Sequence, residues 1–144
     1  MPQVTFHFNV SDPVDYACRL ARKVRARNLR LVVCADPHDV ADMDQRLWTL
    51  TPLSFVSHAA AGAPERVLAR SPVQLCSDLT DRFTGDVLVN LRVEMPPSVG
   101  RFARLVEIVP LDEPSRAAAR HRWRGYVAQG IAPERHDAAA FVAP

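Results

Sequence analysis

Residues 4–35 read VTFHFNVSDPVDYACRLARKVRARNLRLVVCA, and three patterns inside them set the architecture. Val4-Thr-Phe-His-Phe8 alternates at period two, as a half-buried strand does. Ser11-Asp12-Pro13 then offers a capping oxygen and a proline suited to the first helical turn. From Pro13 to Arg27 the residues Val14, Ala17, Cys18, Ala21 and Val24 recur on one helical face with arginines opposite, and Asn28 can close the helix in a left-handed turn. Leu29 to Ala35 is a short run rich in β-branched residues, the composition of a strand buried on both faces. Strand, helix, strand is a βαβ unit.

The same grammar continues along the chain. Asp36-Pro37 opens a second helix to about Trp48. Further strands are expected at Ser54 to His58, Val73 to Cys76, Val87 to Leu91 and Leu105 to Val109, divided by turns marked by Gly62, Pro64, Pro72 and Gly85. A short helix is expected around Ser98 to Phe102, and a last one from Pro114 to Gln129 with Gly130 as its stop. Strands alternating with helices predict an α/β fold, a mostly parallel doubly wound sheet with helices on both faces. The domain is expected over residues 1–130, with the Ala- and Pro-rich residues 131–144 as a loosely held C-terminal tail.

A chain of 144 residues that is 48% hydrophobic and 24% charged fits one globular domain and argues against disorder. Its longest apolar runs fall short of a membrane span and its N-terminus lacks the pattern of a signal peptide, so a cytoplasmic protein is expected. Three widely spaced cysteines, Cys18, Cys34 and Cys76, read as reduced buried thiols. The net charge of +2 says little, but its distribution says more: Arg116, Arg120, Arg122 and Arg124 fall within Ser115 to Gly130, a stretch without an acid, and predict a local cationic surface.

Catalytic patterns are missing. The loop after the first strand, Asn9-Val-Ser-Asp-Pro13, has no glycine, and neither a dinucleotide fingerprint nor a phosphate-cradling P-loop occurs. Cys34, Asp36 and His38, spaced i, i+2, i+4 at a strand end, are the nearest approach to a nucleophile pair or a partial zinc site. A small core thiol, a helix cap and a first-turn histidine explain the same three residues. No cofactor and no resident metal are expected, and the sequence reads as a binding module.

Two constellations fit binding. On the last helix Arg116, Arg120 and Arg124 form one stripe, with Trp123 and Val127 beside it. Guanidinium forks beside an indole suit a ligand that is both acidic and apolar; a solvated arginine face with Trp123 and Tyr126 packed inward is the alternative. Leu47-Trp48-Thr-Leu-Thr-Pro52-Leu-Ser-Phe55 places large apolar residues in a connection, as either a partner patch or core.

Across these segments the sequence resembles the chi subunit family of bacterial DNA polymerase III holoenzyme. The resemblance rests on Asp44-x-x-Leu47-Trp48 with Pro52, Ser54-Phe55-Val56-x-His58 and Gly62, then Pro72-Val73 and Leu88-Val-Asn-Leu91. It continues with Phe102, Leu105-Val-Glu-Ile-Val109 and Arg120-x-Arg122-Trp123-x-x-Tyr126-x-x-x-Gly130. The chain departs from the family at Ala59-Ala-Ala-Gly-Ala63, where a leucine and an acid more often flank the glycine.

The resemblance implies a Rossmann-like, non-catalytic accessory subunit in DNA replication. It implies binding of the acidic, phenylalanine-terminated tail of single-stranded DNA-binding protein through Val109, Arg116, Arg120 and Trp123, with Arg124 close by. It also implies a link to the clamp loader, through psi or another clamp-loader subunit, at Trp48, Pro52 and Phe55. DNA would then be met indirectly. Two other readings stay open: a direct single-stranded nucleic-acid binder acting through the arginine-rich last helix, and a small α/β enzyme using Cys34, Asp36 and His38.

Overall fold

The computed structural model describes residues 2–49, 58–60, 63, 64, 66, 71–80, 82–97 and 99–139, and the side chains of 48, 49 and 58 are outside that description. Seven strands form one sheet: β1 (Gln3–Val10), β2 (Leu31–Cys34), β3 (His58–Ala60), β4 (Val73–Cys76), β5 (Val87–Asn90), β6 (Arg104–Pro110) and β7 (Glu134–Asp137). The order across the sheet is β3-β4-β2-β5-β6-β1-β7, and every pairing is parallel. The helices are α1 (Pro13–Ala26), α2 (Pro37–Thr49) and α3 (Glu113–Ala128), with a 3-10 turn at Val99–Arg101.

Helix boundaries follow local chemistry. Asp12 caps α1 by accepting the Asp15 N–H at 3.2 Å, and Pro13 occupies the first turn. Asn28, at φ 59°, closes the far end as its short polar side chain permits. Asp112 caps α3 by accepting the Ser115 N–H at 3.0 Å, and Gly130 stops it at φ 82°, where a side chain would be strained.

Helices cover both faces. Val14, Ala17 and Cys18 of α1 and Met43 and Leu47 of α2 pack on Leu31, Val33, Leu75 and Val89 on one side. On the other side Ala119 and Tyr126 of α3 pack on Val4, Phe6, Leu105 and Val109. Every residue of the central strands β2, β4 and β5 is buried, as a parallel sheet covered on both faces requires.

Two elements differ from the sequence expectation. The register of β1 shifts between His7 and Val10, where Asn9 adopts φ 62°. This bulge turns Val10 into the α1 side of the core, although Val4 and Phe6 face α3. After Gly130, where a tail is expected, Glu134–Asp137 instead adds β7 to the edge of β1, from Thr5↔Glu134 to Phe8↔Asp137. Glu-Arg-His-Asp has no apolar alternation to announce a strand, and its charged side chains suit a sheet edge. Residues 54–57 of the expected third strand lie outside the described residues, whereas His58–Ala60 is β3.

Candidate functional site

α3 lies over the side of the sheet that holds β6 and β1, and one of its faces lines a cavity together with side chains from β6, β1 and β7. Phe6 and Phe8 share one face of β1 by the period of two, and Val109 comes from β6 beside them. Ala119 and Trp123 approach from α3, and Trp123 tilts onto Phe6 with ring centroids 5.1 Å apart. Tyr126 meets the edge of the same ring at 5.9 Å. Above this apolar floor stand Arg116, Arg120, Arg124 and, from β7, Arg135; the whole encloses a cavity of about 670 Å³.

The rim is rich in cations that carboxylates neutralise only in part. Arg120 pairs with Glu113, and both side chains are more than half exposed. Arg116 donates to the Asn9 Oδ1 at 2.6 Å, Arg124 donates from Nε to the Arg120 carbonyl at 3.3 Å, and the Arg135 guanidinium lies 5.0 Å over the Phe8 ring. An exposed ion pair such as Arg120–Glu113 is weakly held, so an incoming anion can displace it at small cost. The expected site residues Val109, Arg116, Arg120, Trp123 and Arg124 therefore line one cavity.

Arg122 requires a correction, because it does not belong to the cationic surface. It is 3% exposed and pairs through Nε with the wholly buried Glu107 at 2.9 Å. Glu107 also accepts from Asn90 Nδ2 at 2.9 Å and from the Tyr126 hydroxyl at 2.6 Å, and Arg122 donates to the Val93 carbonyl at 2.9 Å. Burial pushes the Glu107 carboxyl up, and the facing Arg122 guanidinium opposes that push. Burial also raises the Tyr126 hydroxyl, which stays a donor. This network fixes the sheet-facing side of α3 and so presents Arg120, Trp123 and Arg124 to the cavity. The sequence reading also missed Phe6, Phe8, Asn9 and Arg135, which line it. The alternation of β1 marked a face, but nothing in it named the helix that covers that face.

Cys34, Asp36 and His38 do not converge. Cys34 is buried in β2, with its Sγ 4.0 Å from the Ser77 carbonyl, whereas Asp36 and His38 are exposed at the start of α2. A hydrogen bond with Cys76 lowers the Cys34 thiol and raises its partner. Cys34 opens on a second cavity of about 430 Å³ at the strand ends, together with Ser77, Asn90, Arg92 and Glu94. Among the described residues no cluster of three or more His, Cys, Asp or Glu side chains could hold a metal ion. Trp48 lies in the last turn of α2, and its side chain, Pro52 and Phe55 are outside the described residues. Among the described residues no helix is long and apolar enough to cross a membrane.

Comparison with known proteins separates fold from family. The C-terminal domain of the DEAD-box protein Dbp5 superposes with a TM-score of 0.62 at 13% identity, covering 96% of this chain and 91% of that one. A DEAD-box protein from Methanococcus jannaschii gives a TM-score of 0.64 at 13% identity, and this chain spans 42% of its length. At such identity the likeness is one of fold alone, consistent with a Rossmann-like α/β sheet. By sequence, the chain is 33% identical over 141 residues to DNA polymerase III subunit chi of Pseudomonas aeruginosa, covering 94% of this chain and 96% of the relative. It is 29% identical over 121 residues to the subunit of the same name from Haemophilus influenzae, covering 81% of each. The family model described as "DNA polymerase III chi subunit, HolC" matches residues 1–134. On that match, and on relatives that share its name along most of their length, the chain belongs to the DNA polymerase III chi subunit family, accessory and non-catalytic subunits of a replicative polymerase.

Proposed function

We propose that this protein is a cytoplasmic adaptor in DNA replication that binds the acidic C-terminal tail of single-stranded DNA-binding protein in the groove between α3 and β1. The observation that carries the proposal is the composition of the groove, in which aromatic and aliphatic side chains form the floor and four arginines the rim. A peptide ending in phenylalanine and preceded by aspartates has the complementary pattern, an apolar end group with a carboxylate attached to it.

In the bound state the terminal phenyl ring lies against Trp123 and Val109, and Phe6 extends the same surface. Arg120, leaving Glu113, holds the terminal carboxylate by charge-assisted hydrogen bonds, while Arg116 and Arg124 attract the preceding acids. A disordered tail loses entropy on docking and its charges are screened, so the expected affinity is on the order of micromolar and falls with salt. Several tails on coated single-stranded DNA raise the effective concentration and compensate for the modest affinity of each. DNA is met through that partner. Trp48, Pro52 and Phe55 are proposed as the second interface, to psi or another clamp-loader subunit, on the strength of the sequence resemblance.

Calorimetric titration of a short acidic peptide ending in Asp-Ile-Pro-Phe tests the tail site. Saturable binding that disappears when the final phenylalanine is deleted, and weakens in Arg120→Ala, is the expected result. Absence of binding at low salt overturns the proposal. Binding of bare single-stranded DNA with steep salt dependence, and no binding of the peptide, would replace it with direct nucleic-acid recognition.

A further inference from the structure

Among the described residues Arg135 is the one groove arginine that is not on α3, and it lies one position past the family match, which ends at residue 134. We propose that Arg135 contacts the ligand and makes β7 the second wall of the groove, engaging an acidic side chain that precedes the terminal residue of the bound peptide. The inference rests on the tail-binding proposal and adds to it a residue, a wall and a charge requirement.

Three observations carry it. In the β1–β7 register Arg135 pairs with Phe6, so its side chain emerges on the α3 side of the sheet, where its guanidinium stacks over Phe8. Its strand is anchored at its C-terminal end beside the groove floor: Asn9 donates to Asp137 Oδ1 at 3.0 Å, and the Ala138 N–H donates to the Phe8 carbonyl at 3.0 Å. Stacking on an aromatic face leaves the in-plane donors of a guanidinium directed outward, where a carboxylate can accept two of them. Among the described residues Arg135 forms no ion pair, so its charge is available to a ligand.

Geometry also explains why one wall is insufficient. From Arg116 to Arg124 the stripe on α3 extends about 12 Å at the ordinary helical rise, the length of three or four extended residues. Side chains of an extended peptide alternate in direction, so acids that face α3 and acids that face away cannot all be met by one helix. Arg135 stands where the second set points. Asn9 links the walls, since it accepts from Arg116 of α3 while donating to Asp137 of β7.

The test is a double-mutant cycle by calorimetry at about 0.15 M ionic strength. Wild type and Arg135→Gln are each titrated with the acidic peptide above and with a version whose aspartates are replaced by asparagine. The expected result is about a threefold to fivefold loss for Arg135→Gln with the acidic peptide, the upper part of the scale for one partly exposed charge pair. Against the asparagine peptide the two proteins should bind alike. Equal affinity of wild type and Arg135→Gln for the acidic peptide overturns the role of Arg135 and leaves the tail site standing. An equal loss against both peptides assigns Arg135 to packing over Phe8 and likewise overturns it. If wild type binds neither peptide, the tail site falls and the inference falls with it.

Discussion

The two cavities described above set the proposed site against the usual expectation for an open α/β sheet. Ligands of such sheets ordinarily sit beyond the carboxyl ends of the strands, where the smaller cavity lies beside Cys34 and Asn90. There, the one cation among the described lining residues is already engaged by the protein. Arg92 donates to the Ser77 carbonyl at 2.5 Å and to Glu94 at 3.1 Å, and sits 3.8 Å from Asp36. The larger cavity, on the flank of the sheet under α3, has four arginines and only one carboxylate partner among the described residues. The proposed site thus rests on unsatisfied charge beside an exposed apolar floor, and not on position in the fold.

The largest expected effect lies beneath the groove. Replacing Arg122 with methionine leaves Glu107 buried beside no cation, and should lower unfolding stability by about 3–5 kcal/mol. Adding Glu107→Gln to that variant should restore part of the loss, whereas Arg92→Gln at the other cavity should change it by less than about 1 kcal/mol. Chemical denaturation measures all three. If Arg92 proved the costlier residue, the roles assigned to the two regions would be reversed.

Next in size is the aromatic wall. Trp123→Ala should weaken the acidic peptide about thirtyfold, near 2 kcal/mol, as removal of a large interface anchor does. Arg120→Ala follows at about tenfold, with a shallower salt dependence. Arg92→Ala should leave peptide affinity unchanged, and an effect on the scale of Arg120→Ala would show that the strand-end cavity takes part.

A further effect concerns pH and the edge of the sheet behind the groove. Burial, with help from His136 and Lys23, depresses the His7 imidazole from 6.5 to about 4. Between those values the unfolded chain binds more protons than the folded one. The contribution of neutral His7 is therefore complete above pH 6.5 and is lost progressively as the pH falls through 4. Thermal melting at pH 7 and pH 5 should show a drop that becomes shallower in His7→Phe, which keeps the ring beside His136 and Tyr16. A drop of equal size in the variant would assign it to other groups.

The fold was legible because capping pairs and β-branched runs announce themselves locally. Asp12-Pro13 and Pro114 mark helix starts, and Leu31–Cys34 marks a strand, without reference to anything distant. The arginine stripe was legible for the same reason, as helical spacing alone groups Arg116, Arg120 and Arg124. What was not legible depends on partners far away in sequence. Arg122 looked like its neighbours, since its counter-charge Glu107 sits fifteen positions earlier on another element. The bulge at Asn9 and the edge strand bearing Arg135 arise from pairings that close only in three dimensions. Neither leaves a periodic trace.

A single spectrum separates the two regions. With uniformly labelled protein, amide chemical shifts are followed as the acidic peptide ending in Asp-Ile-Pro-Phe is added. The predicted result is saturable change at Phe6, Phe8, Arg116 to Arg124 and Arg135, with Cys34, Ser77, Asn90 and Arg92 unmoved. Shifts concentrated at the strand-end set, with the α3 face silent, would contradict the assignment of the groove as the binding site.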